Sequence, residues 1–308
     1  MKFVRYGDLE CVKLSNDSLS LLVTHSVGPR LLDLRFRGAE NILADLPDIT
    51  LECPDRGLFH FWGGHRLWHA PEVPTRTYIP DNEPVTLNEI KSGVRVIQKT
   101  EEATGIQKSM RVLLPDDRAE IVIDHELTNH GLHPVDCAPW AITQLRPGGT
   151  AILPHPTVVA DPYAVRPNRS FILWPYTDIN NPCIHWGNHF TFVKAKLKEG
   201  ALKIGFPNPR GWLAYLWKEI LFVKKSQYVT HGTYFDHNAS SQCYCNPDFL
   251  ELETLGTRTW IAPGDSISHR EIWEIFTIEH FEISEVVMQN IVDRLTLDKP
   301  SPFFNQEN

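Results

Sequence analysis

The run Ala119-Glu120-Ile121-Val122-Ile123-Asp124-His125-Glu126-Leu127 alternates with a period of two. Ile121, Ile123 and Leu127 fall on one side of an extended chain, and Glu120, Asp124 and Glu126 on the other, which is the pattern of a half-buried β-strand. The same reading holds for residues 19–24, 94–99 and 108–114, and the pattern recurs at 190–197, 212–217, 221–224, 249–254 and 268–278. Between these runs stand Pro54-Asp55, Pro80-Asp81-Asn82, Pro115-Asp116-Asp117, Asn208-Pro209 and Pro263-Gly264-Asp265. Proline presets φ and the small polar residue beside it tolerates a tight bend, so each pair reads as a turn. Helical spacing is convincing only near the end, where Ile283, Val286, Val287, Ile291 and Leu295 recur every three to four residues behind Ser284 or Glu282 as cap. The expectation is an all-β chain with a short C-terminal helix over 283–295 and a coil tail over 299–308.

Many short antiparallel strands leave a propeller, a parallel β-helix, a double-stranded barrel or a large sandwich. A propeller or β-helix repeats its sequence at a fixed period, and none is visible. No linker, charge block or low-complexity run divides the chain, so a single sandwich of two large sheets over residues 1–298 is expected.

Composition narrows the function classes. The 308 residues are 42% hydrophobic and 22% charged, with 30 Lys and Arg against 38 Asp and Glu, for a net charge of −8. No stretch approaches the roughly 18 apolar residues of a membrane span. An acidic balance argues against a nucleic-acid surface. Lys2, Arg5, Asp8 and Glu10 leave no apolar region for a secretory signal, and six scattered cysteines do not make a disulfide framework, so a cytoplasmic protein is expected.

Several stretches resemble the aldose 1-epimerases, the galactose mutarotase-like superfamily. Residues 28–43, Gly-Pro-Arg-Leu-Leu-Asp-Leu-Arg-Phe-Arg-Gly-Ala-Glu-Asn-Ile-Leu, look like the family's N-terminal hairpin. Leu127-Thr128-Asn129-His130-Gly131-Leu132-His133-Pro134-Val135 is similar to its strand–turn–strand ahead of the acid histidine. Phe249-Leu250-Glu251-Leu252-Glu253-Thr254 resembles the Leu-Glu-Thr strand that carries the catalytic base, and residues 260–269 resemble the Pro-Gly hairpin that follows. Gly63-Gly64-His65-Arg66-Leu67-Trp68-His69-Ala70-Pro71-Glu72 marks an uncharacterised mutarotase-like branch. The resemblance implies a β-supersandwich, a sugar groove on the concave face of one sheet, a small-molecule sugar as partner, and neither metal nor organic cofactor. A monomer or homodimer is expected.

The proposed base has an independent reading. Residues two apart in a strand share a face, so Glu251 and Glu253 point together, about 7 Å apart, if Leu250, Leu252 and Thr254 enter the core. Two neighbouring carboxylates raise at least one pKa, which suits a general base. The competing reading is a solvated outer face. The Leu-Glu-Thr match favours Glu253, although a register error of two residues would exchange it with Glu251. The acid is missing: the strand that should supply it reads Cys137-Ala138-Pro139-Trp140-Ala141-Ile142-Thr143-Gln144, without histidine. Substitutes are His65, His69 and His231, with His65 preferred because Gly63-Gly64 permits close backbone approach to a ligand. Trp68 and Trp140 offer flat faces for a sugar, though an isolated Trp140 also suits the core. Arg66 would grip an acidic group, either Glu72 or Asp55 of a loop or a charged substrate. Arg30 starts the first matched strand, where a salt bridge is the common fate of an arginine. Metal-ligand spacings are absent, and Cys243-Tyr244-Cys245 lacks a zinc-type partner pair. Three functions follow: an anomer-interconverting epimerase with Glu253 as base and His65 as acid, a non-catalytic carbohydrate-binding domain, and another sugar-transforming enzyme such as a lyase or isomerase.

Overall fold

The computed structural model describes residues 1–157, 163–279 and 284–305. Its strands form an 11-stranded and a 10-stranded sheet, with the separate hairpin Asp45–Cys53 and Gly57–Gly63 at the side. All strand pairs among the described residues are antiparallel. The two sheets face each other across a shared apolar layer. Leu21, Leu31, Leu67, Leu250 and Leu252 come from the first sheet, and Val94, Met110, Ile123, Phe222 and Trp273 from the second. The large two-sheet sandwich expected from the alternating runs is therefore present.

In the first sheet the strands Arg30–Phe36, His65–Ala70, Val135–Leu145, Leu250–Leu255, Ser241–Cys245 and Leu202–Phe206 lie side by side in that order. Alternation assigns their faces. Leu250 and Leu252 pack between the sheets with Cys243, Cys245, Leu202 and Ile204, which turns Glu251, Glu253, Tyr244 and Lys203 to the outer face. On the second sheet the face away from the core is covered by the helix Glu285–Leu295. Met288, Ile291 and Val292 pack there on Ile152, Phe190, Trp212 and Val223. The Ser284 side chain accepts from the amide of Val287 and caps the helix. That placement puts the helix on the wrong sheet to cover a groove on the first.

Some elements differ from the sequence expectation. The return strand of the N-terminal hairpin does not form; residues 40–42 are irregular because Asn41 uses its side chain to cap the backbone of Leu34 and Leu43, and Leu43 makes only a single bridge to Leu145. The strand–turn–strand around Gly131 is present, and its turn crosses between the sheets: Glu120–Asn129 belongs to the second sheet and Val135–Leu145 to the first. The tail contains one 3-10 turn, Pro302–Asn305, whose Phe303 carbonyl accepts from Arg270 at 2.7 Å. Glu282 and Ile283, expected at the helix start, and residues 306–308 of the tail lie outside the described residues.

Candidate active site on the outer face of the first sheet

Gly63 and Gly64 set the site's first strand. Their φ values are +89° and +70°, and a Cβ would stand 2.0 Å from the Ala44 carbonyl oxygen at Gly63 and 1.9 Å from that of Leu31 at Gly64. The glycine pair admits close backbone approach as expected, but what approaches is the protein's own chain. Past it, His65–Ala70 runs straight, so Arg66 and Trp68 face outward while His65, Leu67 and His69 face the second sheet.

The outward residues meet those of the neighbouring strands. Arg66 Nη2 and Gln144 Nε2 each donate to Glu251 Oε1 at 3.0 Å. Trp140 Nε1 donates to Glu253 Oε2 at 2.7 Å, and Lys203 Nζ donates to the same oxygen at 2.9 Å. The Arg66 guanidinium lies 4.2 Å from the Trp68 ring centre, and Trp68 meets Trp140 edge-on at 5.4 Å. Lys203 Nζ sits 4.8 Å from each of the Trp140 and Trp174 rings. Above this floor is a cavity of about 410 Å³, lined among others by Arg66, Trp68, Trp140, Tyr176, Lys203 and Glu251.

Glu253 lies behind that lining, with no exposed surface of its own. Burial pushes its carboxyl up to about 7; Lys203 opposes the rise and the Glu251 charge adds to it. Among the described residues its Oε1 has no hydrogen-bond partner, and neither do Gln144 Oε1 or Nε and Nη1 of Arg66. Buried polar atoms are normally satisfied, so this cluster holds unused hydrogen-bonding capacity beside an aromatic-walled cavity. A carboxyl poised near neutrality can take and return a proton there.

The histidines offered as acid are elsewhere. His65 is fully buried between the sheets, with Nδ1 on Thr143 Oγ1 at 2.9 Å and Nε2 on His125 Nε2 at 2.7 Å. Because Arg66 occupies the outer face, His65 stands on the opposite side of the sheet from Glu253 and cannot serve as its acid. His69, on the same inner face, stands 3.6 Å from Glu101. His231 sits in an exposed turn whose Gly232 amide bonds to the Val229 carbonyl. Arg30 is wholly buried, clamped by Asp81 at 2.9 Å and by the carbonyls of His60 and Phe61. It therefore has the salt bridge that the sequence offered as its alternative role. Arg66 holds Glu251 rather than Glu72 or Asp55.

Lys203 is the site residue that the sequence reading missed. It is the one polar side chain in Leu202–Phe206, and that strand's alternation turns it outward, but its partner Glu253 lies 50 residues away in the chain.

Ligand atoms of His65, His125 and Glu271 lie within 4.8 Å of one another. The donor set does not suit a metal. Glu271 already takes the Lys224 ammonium at 2.9 Å and Trp273 Nε1 at 3.0 Å. A divalent ion would share one carboxylate with an ammonium, with all of these groups buried.

No protein-family model matches the sequence, and no curated relative matches it. Solved structures do. A galactose mutarotase-like protein from Lactobacillus casei ATCC 334 superposes with a TM-score of 0.51 over 86% of this chain and 100% of its own, at 10% identity. A galactose mutarotase related enzyme from Lactobacillus acidophilus gives 0.54 over 89% and 100%, at 7% identity. The Slr1438 protein from Synechocystis sp. PCC 6803 gives 0.57 over 90% and 100%, at 13% identity. The chain has the galactose mutarotase-like fold.

Proposed function

We propose that the outer face of the first sheet binds a free sugar and interconverts its anomers by acid–base ring opening, with Glu253 as the general base. The observation that carries this reading is Glu253 itself. Its carboxyl is buried, poised near neutrality and unpartnered at Oε1, and both of its donors, Trp140 and Lys203, line the cavity. Trp68 and Trp140 supply the apolar walls that a pyranose face requires, and Glu251, Gln144 and Arg66 supply polar contacts. The fold shared with mutarotase-like proteins agrees with this assignment without deciding the chemistry. Six free cysteines, five of them buried, suit a reducing cytoplasm; no described helix is long and apolar enough to cross a membrane.

Ring opening needs a base at the anomeric hydroxyl and an acid at the ring oxygen. Proton transfer by a positioned group contributes about 10²–10⁴-fold. NMR saturation transfer between the anomers of a panel of aldoses measures the exchange directly. Acceleration by the protein, lost in Glu253→Gln, supports the reading. A folded protein that leaves every exchange rate unchanged removes it.

The zero exposure of Glu253 favours a second reading, a carbohydrate-binding domain without turnover. It expects saturable sugar binding at an unaltered exchange rate, which the same titration separates from catalysis.

A further inference from the structure

The strand that should carry an acid histidine has none, and among the described residues no histidine lines the cavity. A ring-opening site still needs a donor for the ring oxygen. Resting on the anomer-interconverting reading above, we infer that Lys203 is that donor and acts with Glu253 as one contiguous acid–base pair.

Among the side chains that line the cavity, Lys203 and Trp140 are the donors hydrogen-bonded to Glu253, ahead of Tyr176 and Tyr244, for which no bond to it is formed. The two oxygens that exchange protons in mutarotation sit on the same carbon, so acid and base must stand side by side. Lys203 Nζ is 2.9 Å from Glu253 Oε2. Arg66 faces Glu251, and its guanidinium does not release a proton in proteins. Tyr78 already gives its hydroxyl to Glu72. Trp140 Nε1, the other donor to Glu253, is an indole N–H that donates hydrogen bonds without giving up its proton.

The lysine is also held in place. Its backbone amide donates to Thr177 Oγ1 at 2.8 Å, and Thr177 Oγ1 donates back to its carbonyl at 3.0 Å. Its ammonium lies between two indole rings that favour the cation. A side chain fixed at the backbone and flanked by flat walls presents its proton at a defined point.

The step balances without a further reactant. Glu253 carboxylate takes the proton of the anomeric hydroxyl, and the C1–O1 bond becomes a carbonyl. The bond from C1 to the ring oxygen breaks, its electron pair stays on that oxygen, and Lys203 delivers a proton there. The result is an open-chain aldehyde, a protonated Glu253 and a neutral Lys203. After rotation about the bond to the aldehyde carbon, Lys203 takes back the hydroxyl proton as the ring recloses on the other face. Glu253 returns its proton to O1, and both groups regain their starting state.

The test uses the full chain with Lys203→Arg and Lys203→His, each checked for folding by circular dichroism, against an aldose that the unmodified chain interconverts. Lys203→Arg keeps the charge and loses the releasable proton; it should bind the sugar within a few-fold and exchange anomers at least about 100-fold more slowly. Lys203→His keeps a releasable proton, so it should exchange faster than Lys203→Arg. A folded Lys203→Arg that exchanges at the unmodified rate overturns the lysine assignment and leaves Glu253 as base intact. Absence of exchange in the unmodified chain, with all aldoses, overturns both.

Discussion

Trp140 Nε1 reaches Glu253 Oε2 diagonally, at 2.7 Å, across two adjacent antiparallel strands. In register Trp140 stands opposite Leu255, and Glu253 stands opposite Ile142. The indole therefore spans a step of the ladder to bond a carboxylate on the same outer face, within the reach of a long aromatic side chain. One ring serves as cavity wall and as a donor that favours the ionised form of Glu253.

Removing that donor should move the titration of Glu253 upward. A hydrogen bond to a charged group contributes about 1.5–3 kcal/mol, and 1.36 kcal/mol is one pKa unit. With Glu253 at about 7, exchange should rise with pH through neutrality in the unmodified chain. In Trp140→Phe the same limb should lie roughly one to two pH units higher. A limb that stays in place would show that the indole bond does not set the base.

Acid stability follows from the histidines between the sheets. Burial holds His65, His125 and His269 below their ordinary values, His269 at about 3, so each gives up its proton more readily in the fold than in the open chain. In the unfolded chain each binds a proton near 6.5. The unfolded state then holds more protons, and stability falls as pH drops from about 6.5 toward 3. Glu253 runs the other way: raised to about 7 from 4.5, it takes its proton in the fold first, which adds stability on acidification across that interval. Three groups outweigh one. The melting temperature should fall between pH 7 and pH 5, and more steeply in Glu253→Gln, where the opposing group is gone. A melting temperature that rises on acidification would mean that the histidines accept protons in the fold.

The parity of Glu251 and Glu253 was legible because Leu250 and Leu252 mark the core side of that strand. The same logic applied to residues 65–70 places His65 and His69 with Leu67, away from Arg66 and Trp68. What hid this was chemistry: histidine reads as functional wherever it stands, whereas here two histidines fill the interior and the cavity is lined by Trp68 and Trp140, the pair offered as flat faces. The Lys203–Glu253 pair was illegible for another reason. Strand order in the sheet follows from how distant segments pack, and no local pattern tells that Leu202–Phe206 lies one strand beyond Ser241–Cys245. The all-β class and the terminal helix, which rest on local periodicity, were readable; the return strand near Asn41 was lost to a side chain that caps the backbone.

Lys224 and Glu271 offer a double-mutant test of the interior. Both are wholly buried and 2.9 Å apart. Lys224 Nζ also donates to the carbonyls of Ala141 and Leu252 at 3.0 Å, tying two groove strands from behind. Burial alone would raise Glu271, but the adjacent Lys224 ammonium overrides it and holds the carboxyl far below the usual carboxylate range. Glu271→Gln leaves the ammonium uncompensated and should cost about 3–5 kcal/mol in urea unfolding. The paired change Lys224→Met with Glu271→Met buries no charge and should cost less than Glu271→Gln alone. A double variant as unstable as the sum of its single changes would deny the coupling.

The last test concerns the backbone turn that aims Arg66 and Trp68. At Gly64 an added Cβ would stand 1.9 Å from the Leu31 carbonyl oxygen, and that neighbour is strand backbone in Arg30–Phe36, not a flexible side-chain end. The φ of +70° adds the left-handed strain of an L-residue, about 1–2 kcal/mol. Gly64 also accepts from the Gln144 amide at 2.7 Å and donates to the Ala44 carbonyl at 3.0 Å, so the strand cannot retreat without breaking both bonds. Gly64→Ala should therefore destabilise by more than about 3 kcal/mol, beyond the usual range for a surface turn. Gly38→Ala, at φ +74° with open space around its Cβ, should lose only the strain. Comparing the two by urea unfolding isolates the steric part. Equal losses would mean that the strand ahead of His65 yields, and that the placement of Arg66 and Trp68 does not depend on the glycine pair.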